Sequence, residues 1–175
     1  VKDLENTAGF VTSDGSRLYA DSPPAGADDV HIGRLKDAGA IVVGKTNTPE
    51  FGHLPFTNNP VFGPTRNPWD PGRSAGGSSG GAAAALACGV LSVADGSDLG
   101  GSLRNPASFC GVVGFRPTAG TVPYRVDHDD RIRMPTSGPM GRTVDDVTVF
   151  HSVMAPTITE ARPVPPAPRL AVSAD

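Results

Sequence analysis

Residues 73–112 read RSAGGSSGGAAAALACGVLSVADGSDLGGSLRNPASFCGV and hold two glycine-rich turns, each presenting a serine: Ser78 in GGSSGG and Ser102 in DLGGSLR. Such turns let backbone N–H groups converge where a side chain would otherwise block them. A serine at a turn of this kind is a candidate nucleophile with an oxyanion hole beside it. Between the turns, the alanine-rich residues 81–88 predict a helix stopped at Gly89, and the apolar residues 91–94 predict a strand.

The same plan stands upstream. Residues 28–38 (DDVHIGRLKDA) predict a helix with Asp28 and Asp29 in its first turn and Val30, Leu35 and Ala38 on one apolar stripe. Gly39 stops it, and residues 40–43 (AIVV) predict a buried strand. Downstream, residues 145–154 predict a third helix with Val147, Phe150, Val153 and Met154 on its apolar face, and Thr143 and Asp146 have the spacing of a capping box. Residues 51–71, rich in Pro and Asn, and the charged residues 124–133 read as loops. Helices alternating with short apolar strands argue for an α/β domain, its mixed or mostly parallel sheet flanked by helices.

Composition narrows the function classes. The chain has 175 residues, enough for one domain, and a formal net charge of −3, which offers no basic footprint for nucleic acid. No apolar run reaches the roughly 18 residues of a membrane span, and no signal peptide opens the chain. Cys88 and Cys110 lie among small or apolar residues, which predicts two buried free thiols and a cytoplasmic location. The 22 glycines and 18 prolines gather at turns between apolar segments, so disorder is the weaker reading for most of the chain. Residues 156–168 (PTITEARPVPPAP) are the exception and read as an extended linker. Residues 169–175 begin a further strand, and the opening Val1-Lys2-Asp3 is equally abrupt, so residues 1–155 read as part of a longer catalytic domain.

The serine chemistry needs a base. Both Ser78 and Ser79 satisfy G-x-S-x-G, but the nucleophile elbow requires a strand running into the serine, and residues 68–75 (PWDPGRSA) exclude a central strand. A P-loop is excluded because no Lys-Ser/Thr follows the glycines. Ser102 follows Asp98-Leu99-Gly100-Gly101, so successive amides can point at one spot, with Asp98 bracing the turn, and Arg104, the nearest cation, reads as a member of a structural ion pair rather than a substrate contact. His31, His53, His128 and His151 read as surface or helix residues. A lysine serves as base when burial lowers its pKa. Lys36 lies in an exposed helix pattern; Lys2 and Lys45 both follow valines, and spacing does not choose between them. Asp127-His128-Asp129-Asp130 reads as a solvated loop, so neither metal nor cofactor is expected.

Taken in order, Val1-Lys2-Asp3, AGAIVVGKTNTPEFG (38–52), Asn67-Pro68, GGSSGG (76–81), GSDLGGSLRNPASFCGVVGFRPTAG (96–120) and GPMGRTVDD (138–146) resemble the amidase signature family over nearly the whole chain. The resemblance implies that family's α/β fold and its Ser–cis-Ser–Lys triad: Ser102 as nucleophile, Ser78 as bridging serine after a cis Gly77–Ser78 bond, and Lys2 as base, which leaves Lys45 structural. It further implies an oxyanion hole from the amides of Leu99, Gly100, Gly101 and Ser102, with Gly77 and Ser79 shaping the loop. The activity it implies is hydrolysis of small carboxamides through an acyl-enzyme, with hydrophobic or aryl amides, esters, carbamates and nylon-type oligomers as the substrate range. Charge and hydropathy lead to no expected membrane or nucleic-acid partner, and a homodimer is left open. Ser97 and Leu99 stand where many members have threonine, and Asn105 stands where the amidotransferase that acts on glutamyl-tRNA commonly has glutamine, which leans against that alternative. A catalytically silent fragment is the third reading. Members of the family are far longer than this chain.

Overall fold

Two of the predicted helix stops form one motif. Helix α1 spans Val30–Asp37; the Gly39 N–H bonds to the Lys36 carbonyl and the Ala40 N–H to the Leu35 carbonyl, both at 2.9 Å. Helix α2 spans Gly80–Ala87; the Gly89 N–H bonds to Leu86 at 3.0 Å and the Val90 N–H to Ala85 at 2.9 Å. Gly39 (φ 92°) and Gly89 (φ 72°) supply the left-handed residue that this closure needs. The computed structural model describes residues 1–123 and 134–155. The loop expected over 124–133, the linker over 156–168 and the strand expected from 169 lie outside the described residues.

Helix α1 buries His31, Ile32 and Leu35. Its leading acids tie it to the start of the chain: Asp29 accepts from the Asn6 N–H (2.7 Å), and Asp28 accepts from the Ala8 N–H (2.8 Å) and from Lys36 Nζ (2.6 Å). The expected loop over 51–71 contains short pairings. Strand β1 (Asn58–Asn59) pairs with β2 (Gly63–Pro64), and β3 (Arg66–Asn67) pairs with β4 (Asp70–Ser74), both antiparallel.

The main sheet has three strands. Strand β5 is Val93–Asp98, β6 is Val113–Gly114 and β7 is Thr136–Gly141. Their order is β5-β7-β6, with both pairings antiparallel. The parallel pairing expected of the sheet is absent from these three strands; among the described residues a parallel pairing occurs as the isolated bridge of Lys2 to Thr46, outside the sheet. Strand β5 begins two residues later than residues 91–94 suggested and runs into polar sequence, burying Asp95, Ser97 and Asp98. An apolar-run criterion ends at Ala94 because it cannot see the partners that make these side chains tolerable in a core.

The strand expected over 40–43 is a correction. That segment joins no ladder, and Ile41 and Val43 are 86% and 74% exposed. None of the described strands covers this apolar face. Cys88 is also corrected: it is exposed at the C-terminal cap of α2, whereas Cys110 is buried as expected. Burial and the neighbouring Cys88 push the Cys110 thiol up to about 11.

Helix α3 (Arg104–Cys110) packs on α2, with Leu86, Ala83, Leu103 and Met140 among the residues of one core cluster. Its C-terminal carbonyls are held from the expected loop: Asn67 donates to Phe109 O (2.8 Å) and Trp69 Nε1 to Cys110 O (2.7 Å). Helix α4 (Val144–Met154) closes over α1, sharing a second cluster of Ile32, Leu35, Val122, Met154 and Ala155. The predicted capping box is formed: the Asp146 N–H donates to Thr143 Oγ1 (3.1 Å) and the Thr143 N–H to Asp146 Oδ2 (3.2 Å).

Candidate active site

The start of the chain, the GGSSGG turn and strand β5 meet at one amine. Lys2 is fully buried, and its Nζ donates to Ser78 Oγ (2.7 Å), Ser97 Oγ (3.0 Å) and the Ser97 carbonyl (3.4 Å). Its backbone is equally fixed. The Thr46 N–H donates to Val1 O and the Asp3 N–H to Thr46 O, while the Lys2 N–H donates to Asp95 Oδ1 at 3.1 Å. A buried ammonium has lost its hydration, so burial lowers the Lys2 pKa to about 8, against the opposing pull of Glu5, Asp95 and Asp98.

Ser78 follows a cis Gly77–Ser78 peptide and is 2% exposed. The turn that carries it is pinned by Thr57, whose hydroxyl donates to Gly76 O (2.9 Å) and accepts from the Gly80 N–H (3.1 Å). The next residue joins the two serine turns, since the Ser79 N–H donates to the Ser102 carbonyl at 3.1 Å. Ser79 Oγ also reaches Ser97 O at 3.4 Å. This crowding requires Gly96: a Cβ there would stand 2.7 Å from both Leu103 Cδ2 and Ser79 Oγ.

Asp98 braces the second turn as expected. Oδ1 accepts from the Gly101 N–H (2.7 Å) and Oδ2 from the Leu103 N–H (3.1 Å). Arg104 forks onto the same carboxylate with Nε and Nη2 both at 3.0 Å, and Arg116 Nε approaches it at 3.4 Å. Burial works against the charged carboxylate, yet Arg104 and the two amides outweigh it and hold Asp98 below the usual carboxylate range. Gly101 therefore spends its N–H inside the turn, which removes it from the four expected oxyanion donors. Leu99, Gly100 and Ser102 remain as candidates, and Leu99 and Gly100 lie exposed at the surface of the turn.

Lys45 goes elsewhere. Its Nζ donates to Glu5 O (2.6 Å) and Thr12 Oγ1 (2.9 Å) and lies 3.6 Å from Asp3 Oδ1. Asp3 in turn accepts from the Ser13 hydroxyl and N–H. Sequence reasoning missed Ser97 as a lysine partner, Thr57, Arg116 and the acids Asp95 and Glu5 around Lys2. A buried-strand reading of residues 93–98 would have exposed Ser97 and Asp95, since alternate residues of a strand share a face. His31 lies on its expected helix but is fully buried, with Nε2 3.9 Å from Asp95 Oδ2. Among the described residues no His, Cys, Asp and Glu cluster could hold a metal ion; His128 lies outside them.

With this geometry in view, the comparisons converge. The Amidase family model matches residues 1–174, and the chain belongs to that family. It is 44% identical over 155 residues to an acylamidase of Rhodococcus erythropolis, covering 89% of this chain and 32% of the relative. It is 46% identical over 159 residues to a glutamyl-tRNA(Gln) amidotransferase chain of Nitratidesulfovibrio vulgaris (strain DP4), again covering 89% and 32%. Among solved structures, 6-aminohexanoate cyclic dimer hydrolase complexed with substrate superposes with a TM-score of 0.83 at 37% identity, over 95% of this chain and 36% of that one. The α/β architecture is that of the amidase signature enzymes. The chain spans about a third of the length of the curated relatives it matches.

Proposed function

We propose that this chain carries the catalytic centre of a serine amidase that hydrolyses carboxamides through an acyl-enzyme. The carrying observation is the 2.7 Å contact between buried Lys2 Nζ and Ser78 Oγ. With its pKa brought to about 8, Lys2 is neutral in a useful fraction near physiological pH and can accept a proton. Ser78 passes its proton to Lys2 as it takes one from Ser102, and the Ser102 alkoxide attacks the amide carbonyl. The amides of Leu99, Gly100 and Ser102 hold the oxyanion, on a turn that Asp98, Arg104 and Arg116 keep rigid. The tetrahedral species collapses, Ser78 returns the proton to the leaving amine, and a water activated through the same relay releases the acid. Gly77 and Ser79 shape the turn that carries the relay.

The acylamidase and 6-aminohexanoate cyclic dimer hydrolase relatives support acyl amides and nylon-type oligomers as the substrate class, and hydrophobic or aryl amides, with esters and carbamates as side reactions, belong to the same proposal. The second reading, part of a tRNA-dependent amidotransferase, is supported by the amidotransferase relative and opposed by Asn105. Exposure to a fluorophosphonate, with the adduct mapped by peptide mass spectrometry, tests the proposal. Labelling at Ser102 that Lys2→Ala slows by several orders of magnitude is expected, and Ser102→Ala is expected to abolish it at unchanged stability. Labelling that persists in Ser102→Ala overturns the nucleophile; a mild Lys2→Ala effect overturns the base; a folded chain that never labels supports the silent-fragment reading.

A further inference from the structure

A neutral amine carries two N–H donors and one lone pair, and it serves as a base only toward the group its lone pair faces. Among the described residues, Lys2 Nζ has three acceptors: Ser78 Oγ at 2.7 Å, Ser97 Oγ at 3.0 Å and the Ser97 carbonyl at 3.4 Å. Two of the three belong to one residue. Ser97 lies within β5 and pairs with Ser137 of β7, so the strand register sets where both of its acceptors stand. Lys2 is 0% exposed and Ser97 6% exposed, so bulk water does not reach the amine to replace either acceptor.

Resting on the reading of Lys2 as the base, we infer that Ser97 is a positioning residue whose hydroxyl and carbonyl take the two N–H groups of neutral Lys2 and so aim its lone pair at the Ser78 hydroxyl. In the transfer, the Ser78 O–H bond breaks and a third N–H bond forms on Lys2, while Ser78 takes the Ser102 proton. The ammonium then donates to all three acceptors, so the nitrogen does not turn between its two states. A group that is already oriented adds no reorganisation to the barrier. Without the Ser97 hydroxyl, one N–H of the neutral amine is unpaired in a buried site, and Ser78 Oγ at 2.7 Å is the closest acceptor for it. The amine then donates to Ser78 where it should accept, and the proton route is closed until it turns back.

The experiment is the pH profile of fluorophosphonate labelling at Ser102 in a protein carrying this chain, with thermal melts on each variant. Ser97→Ala is expected to slow labelling about 10- to 100-fold on the alkaline plateau, where Lys2 is already neutral, through loss of one buried hydrogen bond. The plateau separates orientation from basicity. The hydroxyl also accepts from the ammonium, so deleting it moves the acid limb to lower pH, which by itself speeds labelling near neutrality. The charged groups facing Lys2, Glu5 on its own segment and Asp95 and Asp98 on β5, stay unchanged, as do the Val1 amine and His31 beside Asp95. Ser97→Thr keeps both acceptors and is expected to recover most of the lost rate. Where its added methyl lowers the melting temperature, Ser97→Cys takes its place, with nearly the same shape and a poor acceptor. It is expected to label nearly as slowly as Ser97→Ala while melting like the parent, and labelling at the parental rate overturns the inference. A merely structural role makes rate follow melting temperature and not the presence of the hydroxyl. Ser97→Ala labelling at the parental plateau rate, or faster because the hydroxyl competes for the lone pair, overturns the inference. If Lys2→Met still abolishes labelling in that case, the base assignment stands. Lys2→Met labelling at the parental rate overturns both.

Discussion

Lys2→Met keeps the length of the side chain and deletes the amine, so it separates what Lys2 does for folding from what it does for chemistry. Lys2 is fully buried with a pKa near 8, against 10.5 for a solvated lysine. At about 1.4 kcal/mol per pH unit, holding the ammonium in the folded chain costs about 3 kcal/mol at neutral pH. The folded pKa lies below the unfolded one, so the unfolded chain binds more protons between pH 8 and 10.5. The parent protein therefore gains stability across that window, while below pH 8 the penalty is constant and complete. Methionine has nothing to titrate. The lost contacts, to Ser78 Oγ at 2.7 Å and Ser97 Oγ at 3.0 Å, are worth about 1 kcal/mol each and do not vary over this range. The variant is thus expected to be more stable than the parent by about 1 kcal/mol at pH 7 and less stable by about 2 kcal/mol at pH 10.5, from the same principles. Urea unfolding at both pH values measures this. A stability difference between variant and parent that is constant across the window refutes the argument.

Three further outcomes are expected. Asp98→Asn leaves Arg104 and Arg116 without their shared carboxylate and is expected to destabilise by about 2–4 kcal/mol in urea titration, with labelling at Ser102 slowed as the turn loosens. Gly96→Ala drives a methyl to within 2.7 Å of Leu103 Cδ2 and Ser79 Oγ; overpacking of about 1–3 kcal/mol is expected from thermal melts, with the Ser79 turn displaced. Thr143→Ala removes the acceptor of the Asp146 N–H at the start of α4 and is expected to cost about 1 kcal/mol in the same assay without altering labelling, because the cap is remote from Lys2.

The helices were legible because their signals are local. Gly39 and Gly89 end α1 and α2 by a closure that spans six residues, and the Thr143–Asp146 box starts α4 within one turn. The braced turn was legible for the same reason, since Asp98 meets Gly101, Leu103 and Arg104 within six positions. The strands were harder. Residues 40–43 look buried because they are apolar, yet Ile41 and Val43 are exposed, since burial depends on what packs above them. Strand β5 looked shorter than it is because its second half is polar, and two of those residues, Asp95 and Ser97, are tolerable through a partner far away in the chain, Lys2.

Local chemistry in the chain thus decided the helix ends and the carboxylate brace of the second serine turn, built from bonds between near neighbours, whereas the first serine turn is also pinned by the distant Thr57 and Ser102. The family motifs further singled out Lys2, Ser78 and Ser102. The choice of lysine by contact belongs to the tertiary structure: Lys2 and Ser78 are 76 positions apart, and Lys2 and Asp95 are 93 apart. The same is true of His31, which a helical pattern alone leaves free to face water. Only the tertiary fold sets it near Asp95, because chain entropy lets segments so distant meet only when a shared core holds them together.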